Sequence, residues 1–95
     1  MKNSLIQNGR YCIVCGTEKA LHRHHIFYGK NRKLAEQDGA WCYLCYLHHN
    51  GSKKGVHFNK ELDLHLKRKC EKAWITANNA EISDFIARYG KNYLY

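Results

Sequence analysis

Two adjacent histidine pairs, His24-His25 and His48-His49, lie 24 residues apart, and a cysteine knuckle accompanies each. Cys12-Ile13-Val14-Cys15-Gly16 carries two thiols across a tight turn, and Cys45-Tyr46-Leu47-His48 carries a thiol and an imidazole at the same spacing. Together Cys12, Cys15, Cys45 and His48 offer the four soft ligands of a closed tetrahedral zinc site. A rival set, Cys12, Cys15, Cys42 and Cys45, shares three of them, because Cys42-Tyr43-Leu44-Cys45 repeats the spacing. On a strand Cys42 and Cys45 project to opposite faces, so the rival requires the strand to have turned already. His24, His25 and His49 are left for an open coordination sphere beside a base, the requirement of a catalytic metal. Adjacent strand residues also point to opposite sides, so one histidine of a pair can face a metal while its neighbour faces a water.

The string Cys-x2-Cys-Gly, then His24-His25-Ile26, then Leu44-Cys45-x2-His48-His49, resembles the HNH (ββα-metal) endonucleases, especially small phage-borne members and phage recombination-enhancement nucleases. Gly55-Val56-His57-Phe58-Asn59-Lys60-Glu61-Leu62-Asp63 and the ending Asp84 to Tyr93 are similar to the same small phage proteins, so the likeness covers most of residues 11 to 93. The resemblance implies an α+β fold, a small zinc-stapled ββα-metal domain with additional helices. It implies a metal-dependent DNA endonuclease that hydrolyses phosphodiester bonds with weak sequence preference. His24 and His49 would be metal ligands and His25 the general base. The knuckle of Cys12, Cys15, Cys45 and His48 gains support, because it leaves His49 where the pattern wants its last ligand. His57 is a third ligand or a phosphate contact, since the gap from His49 is eight residues where colicin-type nucleases have four. The family's central Asn aligns with Ala40, so Asp38, Asn31 or backbone contacts must pin the loop carrying the base, or the chain is a weak or inactive nuclease. The alternative function is a non-catalytic zinc-stabilised nucleic-acid-binding module; an adaptor for a protein partner is a third.

Two imidazole ligands favour Mn²⁺, Ni²⁺, Co²⁺ or Zn²⁺ over the hard Mg²⁺, with Asp38 the first acidic ligand to suspect if Mg²⁺ binds best. A recombination protein is a partner only by this resemblance, as is a phage or prophage origin in a bacterial host.

Sixteen Lys and Arg against eight Asp and Glu leave a net charge of +8 and a pI near 9.4, the footprint of a polyanion binder such as DNA. Charge alone would equally serve a merely soluble basic surface. Lys30, Arg32 and Lys33 in a basic loop, with Lys53 and Lys54 past the second histidine pair, are the candidate phosphate contacts. Ninety-five residues make one domain whose core is marginal without a staple. Five cysteines, an odd number, argue against a disulfide framework and for a reducing compartment. The start lacks an apolar leader and no stretch reaches membrane-spanning length, so a cytoplasmic protein is expected, with no membrane partner.

The elements that must position these groups follow from pattern. Residues 1 to 10 read as a loose or partly helical lead-in to a single domain over 11 to 95. Arg10 to Val14 is extended, and Leu21 to Phe27 and Trp41 to Leu47 are strands bracketing the metal. A basic loop and a helical turn ended by Gly39 join them. His48 to Gly55 reads as a loop or broken helix. Asn59 caps a helix from about Lys60 to Thr76 that buries Leu62, Leu66, Cys70, Ala73 and Trp74. A last helix from about Ala80 to Tyr89, capped by Asn78 or Asn79 and stopped by Gly90, packs Ile82, Phe85 and Ile86. Cys42 and Cys70 are expected as small buried residues. His22 is expected to be solvated or packing, and His65 exposed.

Overall fold

A computed structural model describes residues 2–94. Its sheet has two strands, β1 (Leu21–His25) and β2 (Trp41–Cys45), paired antiparallel with Leu21 opposite Cys45 and His25 opposite Trp41. Alternation sorts the residues of β1. His22 and His24 lie opposite the buried Leu44 and Cys42, while Arg23 and His25 share the other face with Tyr43 and Trp41. Between the strands a 3-10 turn (Gly29–Asn31) leads into α1 (Arg32–Asp38). Gly39 ends α1 in the left-handed region, φ 80°, with its N–H on the Ala35 carbonyl.

Residues 2–10 are not loose. Leu5 N–H donates to the Gly39 carbonyl at 2.8 Å, Tyr43 N–H to Gln7 Oε1 at 2.8 Å and Trp41 Nε1–H to the Lys2 carbonyl at 2.9 Å. Ile13 N–H then reaches the Tyr43 carbonyl at 3.0 Å. This segment covers the outer edge of β2, whose backbone groups a two-stranded sheet would otherwise leave unpaired.

The second strand stops at Cys45, short of the expected Leu47, because residues 46–49 coil into α2 (Tyr46–His49). The long helix α3 (Lys60–Ala77) begins as expected, with Asn59 accepting from Leu62 N–H at 3.1 Å. It buries Leu66, Cys70 and Trp74, and also Glu71, which accepts from Tyr93 N–H at 2.8 Å. The last helix, α4 (Ile82–Tyr89), is capped by Glu81 and not by Asn78 or Asn79: Glu81 and Asp84 form a reciprocal capping box. Its inner face is Phe85 and Tyr89, and Ile86 is exposed. Phe27, Phe85, Tyr89 and Tyr93 cluster with ring centroids 4.6 to 6.4 Å apart.

Asp38 joins three helices. It accepts from Trp74 Nε1 at 3.0 Å, from Arg88 Nε at 2.6 Å and from the Tyr89 hydroxyl at 2.6 Å. No helix of the described residues is long and apolar enough to cross a membrane.

Candidate metal centres

Cys12, Cys15, Cys45 and His48 converge, with their ligand atoms all within 4.8 Å of one another. The Cys15 and Cys45 sulfurs are 3.8 Å apart, and His48 Nδ1 lies 3.8 Å from Cys12 Sγ and 3.2 Å from Cys45 Sγ. A tetrahedron with metal–sulfur bonds of about 2.3 Å has edges of about 3.8 Å, so the spacing fits an ion at its centre. Local structure makes the cluster. Gly16, at φ 79°, closes the first knuckle with its N–H on the Cys12 carbonyl at 2.8 Å. The α2 turn then swings His48 back to the sulfur of Cys45. Burial pushes the Cys12 thiol up, but the backbone groups of Cys45, Cys15 and Val14 outweigh it and bring the value down to about 6. That environment favours the thiolate a metal needs.

Cys42 lies outside this group. It is wholly buried, and burial raises its thiol to about 12. Strand parity turns Cys42 to the face away from Cys45, and Cys70 is likewise a buried thiol raised by desolvation.

A second group, His24, His49 and His57, also brings its ligand nitrogens within 4.8 Å. His24 Nε2 is buried without a hydrogen-bond partner, a cost that a coordinated ion would remove. Burial foremost, then the charges of His49, His57, His25 and Lys67, lower the His24 imidazole to about 3, so it stays neutral and able to ligate. The eight-residue gap to His57 is closed by a loop that doubles back on α2. Val56 N–H reaches the His48 carbonyl at 2.8 Å and His57 N–H the His49 carbonyl at 3.3 Å. His57 Nε2 then sits 3.2 Å from His49 Nε2, within a histidine group that could hold an ion.

His22 packs edge-on against Tyr46 and His49, the packing role expected of it, and also meets His49 through a ring nitrogen. Its Nδ1 is 2.9 Å from His49 Nδ1. One ring must donate and the other accept; with His49 donating, its Nε2 lone pair is left facing His57. The shared strand parity of His22 and His24 was the only sequence signal for this.

His25 occupies the opposite strand face and contributes to the same cavity, about 250 Å³, lined by Arg23, His24, His25, Tyr28, Arg32, His49 and His57. Its Nε2 is hydrogen-bonded to Glu36, a residue that motif reading passed over. The His25 hydrogen bond foremost, then the Arg23 charge working against burial, hold the Glu36 carboxyl below its usual range. A neighbouring cavity of about 610 Å³ is lined by Arg23, His25, Arg32, Lys33 and Glu36.

Of the candidate phosphate contacts, Arg32 and Lys33 open α1 and do not lie in a loop, and Arg32 lines both cavities. Lys30, Lys53 and Lys54 are exposed and line neither. Arg23 is the cation that sequence reading missed.

Ala40 is pinned by its backbone. Its carbonyl accepts from Ile26 N–H at 3.0 Å, closing the chain just after His25, and Asn31 Nδ2 donates to the Tyr89 carbonyl at 3.0 Å. Asp38 is committed to the helices and takes part neither in this closure nor in either ligand group. No protein-family model, curated protein or solved structure matches the chain.

Proposed function

We propose that the protein is a metal-dependent DNA endonuclease of the HNH (ββα-metal) type, with zinc in the closed knuckle and a second divalent ion on His24, His49 and His57. The observation that carries this reading is the joint one. Three histidines gather around a common point while His25, on the other strand face, opens into the same cavity. A nucleic-acid-binding zinc module needs the knuckle but has no use for this second constellation.

When bound, the divalent ion supplies positive charge against the phosphoryl and leaving oxygens. The chain supplies the rest. His25 takes the proton of the attacking water, whose oxygen bonds to phosphorus as the leaving alkoxide departs. Arg32 and Lys33, with Arg23 beside them, bind flanking phosphates, which fixes register without reading bases. Nothing in this inventory reads base edges, so sequence preference is weak.

The direct test is a count of bound metals by elemental analysis beside a plasmid-nicking assay with a series of divalent ions. Two metals per chain and metal-dependent nicking are expected. One metal per chain, or two without nicking by any ion, would favour the non-catalytic binding module and make Ala40 the mark of a retired catalyst.

Two further results are expected. Three imidazoles and no carboxylate line the open group, so calorimetry should find Mn²⁺, Co²⁺, Ni²⁺ or Zn²⁺ binding more tightly there than Mg²⁺. Tightest binding by Mg²⁺ would reveal an acidic ligand outside this trio. Arg32→Ala with Lys33→Ala should weaken DNA binding evenly across sequences and flatten its salt dependence, by about 0.9 in log–log slope for each phosphate no longer neutralised. An unchanged slope would move the interface to the Lys67–Lys72 face of α3.

A further inference from the structure

The cavity of Arg23, His25, Arg32, Lys33 and Glu36 contains one anion among its cations. For phosphate binding alone that carboxylate is a defect, since it repels the backbone the cations attract. Its neighbours account for it. Arg23 and His25 are two residues apart on β1 and share a face, and Glu36 of α1 reaches both. Oε1 accepts from Arg23 Nη2 at 3.0 Å and Oε2 from His25 Nε2. The guanidinium of Arg23 lies over the Trp41 ring, 4.1 Å from its centroid, so the far side of the carboxylate is itself anchored.

We infer that Glu36 is the positioning residue of His25: its carboxylate holds the imidazole through Nε2 and thereby leaves Nδ1 as the nitrogen presented to the histidine cavity. This rests on the reading of His25 as the proton acceptor. An imidazole has two nitrogens, and the proton fixed on Nε2 by a carboxylate makes Nδ1 the lone pair. Without the carboxylate the ring is free to rotate and to exchange tautomers, and each wrong arrangement is a form that cannot accept the proton of water. The structural alternative is that Glu36 only ties α1 to β1 through Arg23. The two differ in what they demand of His25.

The test compares Glu36→Ala, Glu36→Gln, Arg23→Ala, His25→Ala and the Glu36→Ala/His25→Ala double variant of the full chain. Plasmid nicking is measured at saturating DNA with Mn²⁺. Glu36→Ala should lower kcat about tenfold to a hundredfold, the usual cost of losing an orienting partner, with KM not raised and melting temperature little changed. Glu36→Gln keeps an acceptor oxygen and should lose less. In the His25→Ala background the Glu36→Ala change should cost nothing further, because there is no ring left to orient. Proton NMR supplies a readout independent of activity: a slowly exchanging, downfield Nε2–H signal of His25 in the wild type and in Arg23→Ala, absent in Glu36→Ala. An equal kcat loss from Glu36→Ala in both backgrounds, or a loss that follows a fall in melting temperature, would overturn the inference in favour of the tie between α1 and β1. An inactive His25→Ala beside a fully active Glu36→Ala would overturn the role of Glu36 alone. A fully active His25→Ala would remove the base itself, and the orienting role with it.

Discussion

Cys15→Ser should release one metal ion and unfold the domain. Cys15 is exposed, unlike the buried Cys12 and Cys45, so the variant removes a ligand while disturbing little packing. A closed zinc site in a domain this small contributes an apparent ~10–16 kcal/mol, against a net folding stability of only ~5–15 kcal/mol for ordinary domains. Losing the ion therefore exceeds any margin the core can supply. Circular dichroism with elemental analysis would read both events together. Cys42→Ala should keep both metals and cost only the packing of one small buried side chain. Acid should act in the same direction as Cys15→Ser. Cys12 is held at about 6 against an ordinary 9.0, so below about 6 protons compete with the ion for the thiolate. Metal loss from the Cys42 variant, with His48→Ala fully loaded, would establish the four-cysteine set instead.

The second large effect concerns chemistry. His25→Ala should keep the fold and both metals yet lose about a hundredfold to ten-thousandfold in DNA cleavage, the range for removing a general base. His24→Ala, His49→Ala and His57→Ala should reach inactivity by another route, by emptying the open group while the knuckle stays filled. His25 belongs to neither ligand group and touches the cavity from the opposite strand face, which is why the two routes separate. Plasmid nicking beside a metal count distinguishes them. Full activity in His25→Ala would end its assignment as the base; loss of the second metal in the same variant would make it a ligand.

Local spacing carried the knuckles, because a two-residue gap fixes geometry within one turn and needs no knowledge of the rest of the fold. Strand parity likewise separated His24 from His25 and Cys42 from Cys45. What sequence could not carry was anything set by packing at a distance. Glu36 becomes a partner of His25 only because α1 is brought alongside β1. His57 becomes a neighbour of His49 only because the 50–58 loop folds back through the His48 and His49 carbonyls. Asp38, suspected as a ligand, was drawn away by Trp74, Arg88 and Tyr89 from two later helices. The cap of α4 was misplaced for a different reason. Asn78 and Asn79 have the better capping propensity, yet Glu81 with Asp84 satisfies two orphan amides at once and wins.

His48 and His49 are consecutive residues of a four-residue helix, one belonging to each ligand group, and their carbonyls also tether the loop that brings His57. A helix so short has no stability of its own. Its position is borrowed from the knuckle, so the two centres are wired in series, and coupling of this kind is reciprocal. A chain with no ion in the knuckle would hold α2 less firmly, and with it the approach of His49 to His24 and His57. Metal supply to one group would then act as a clamp on the geometry of the other.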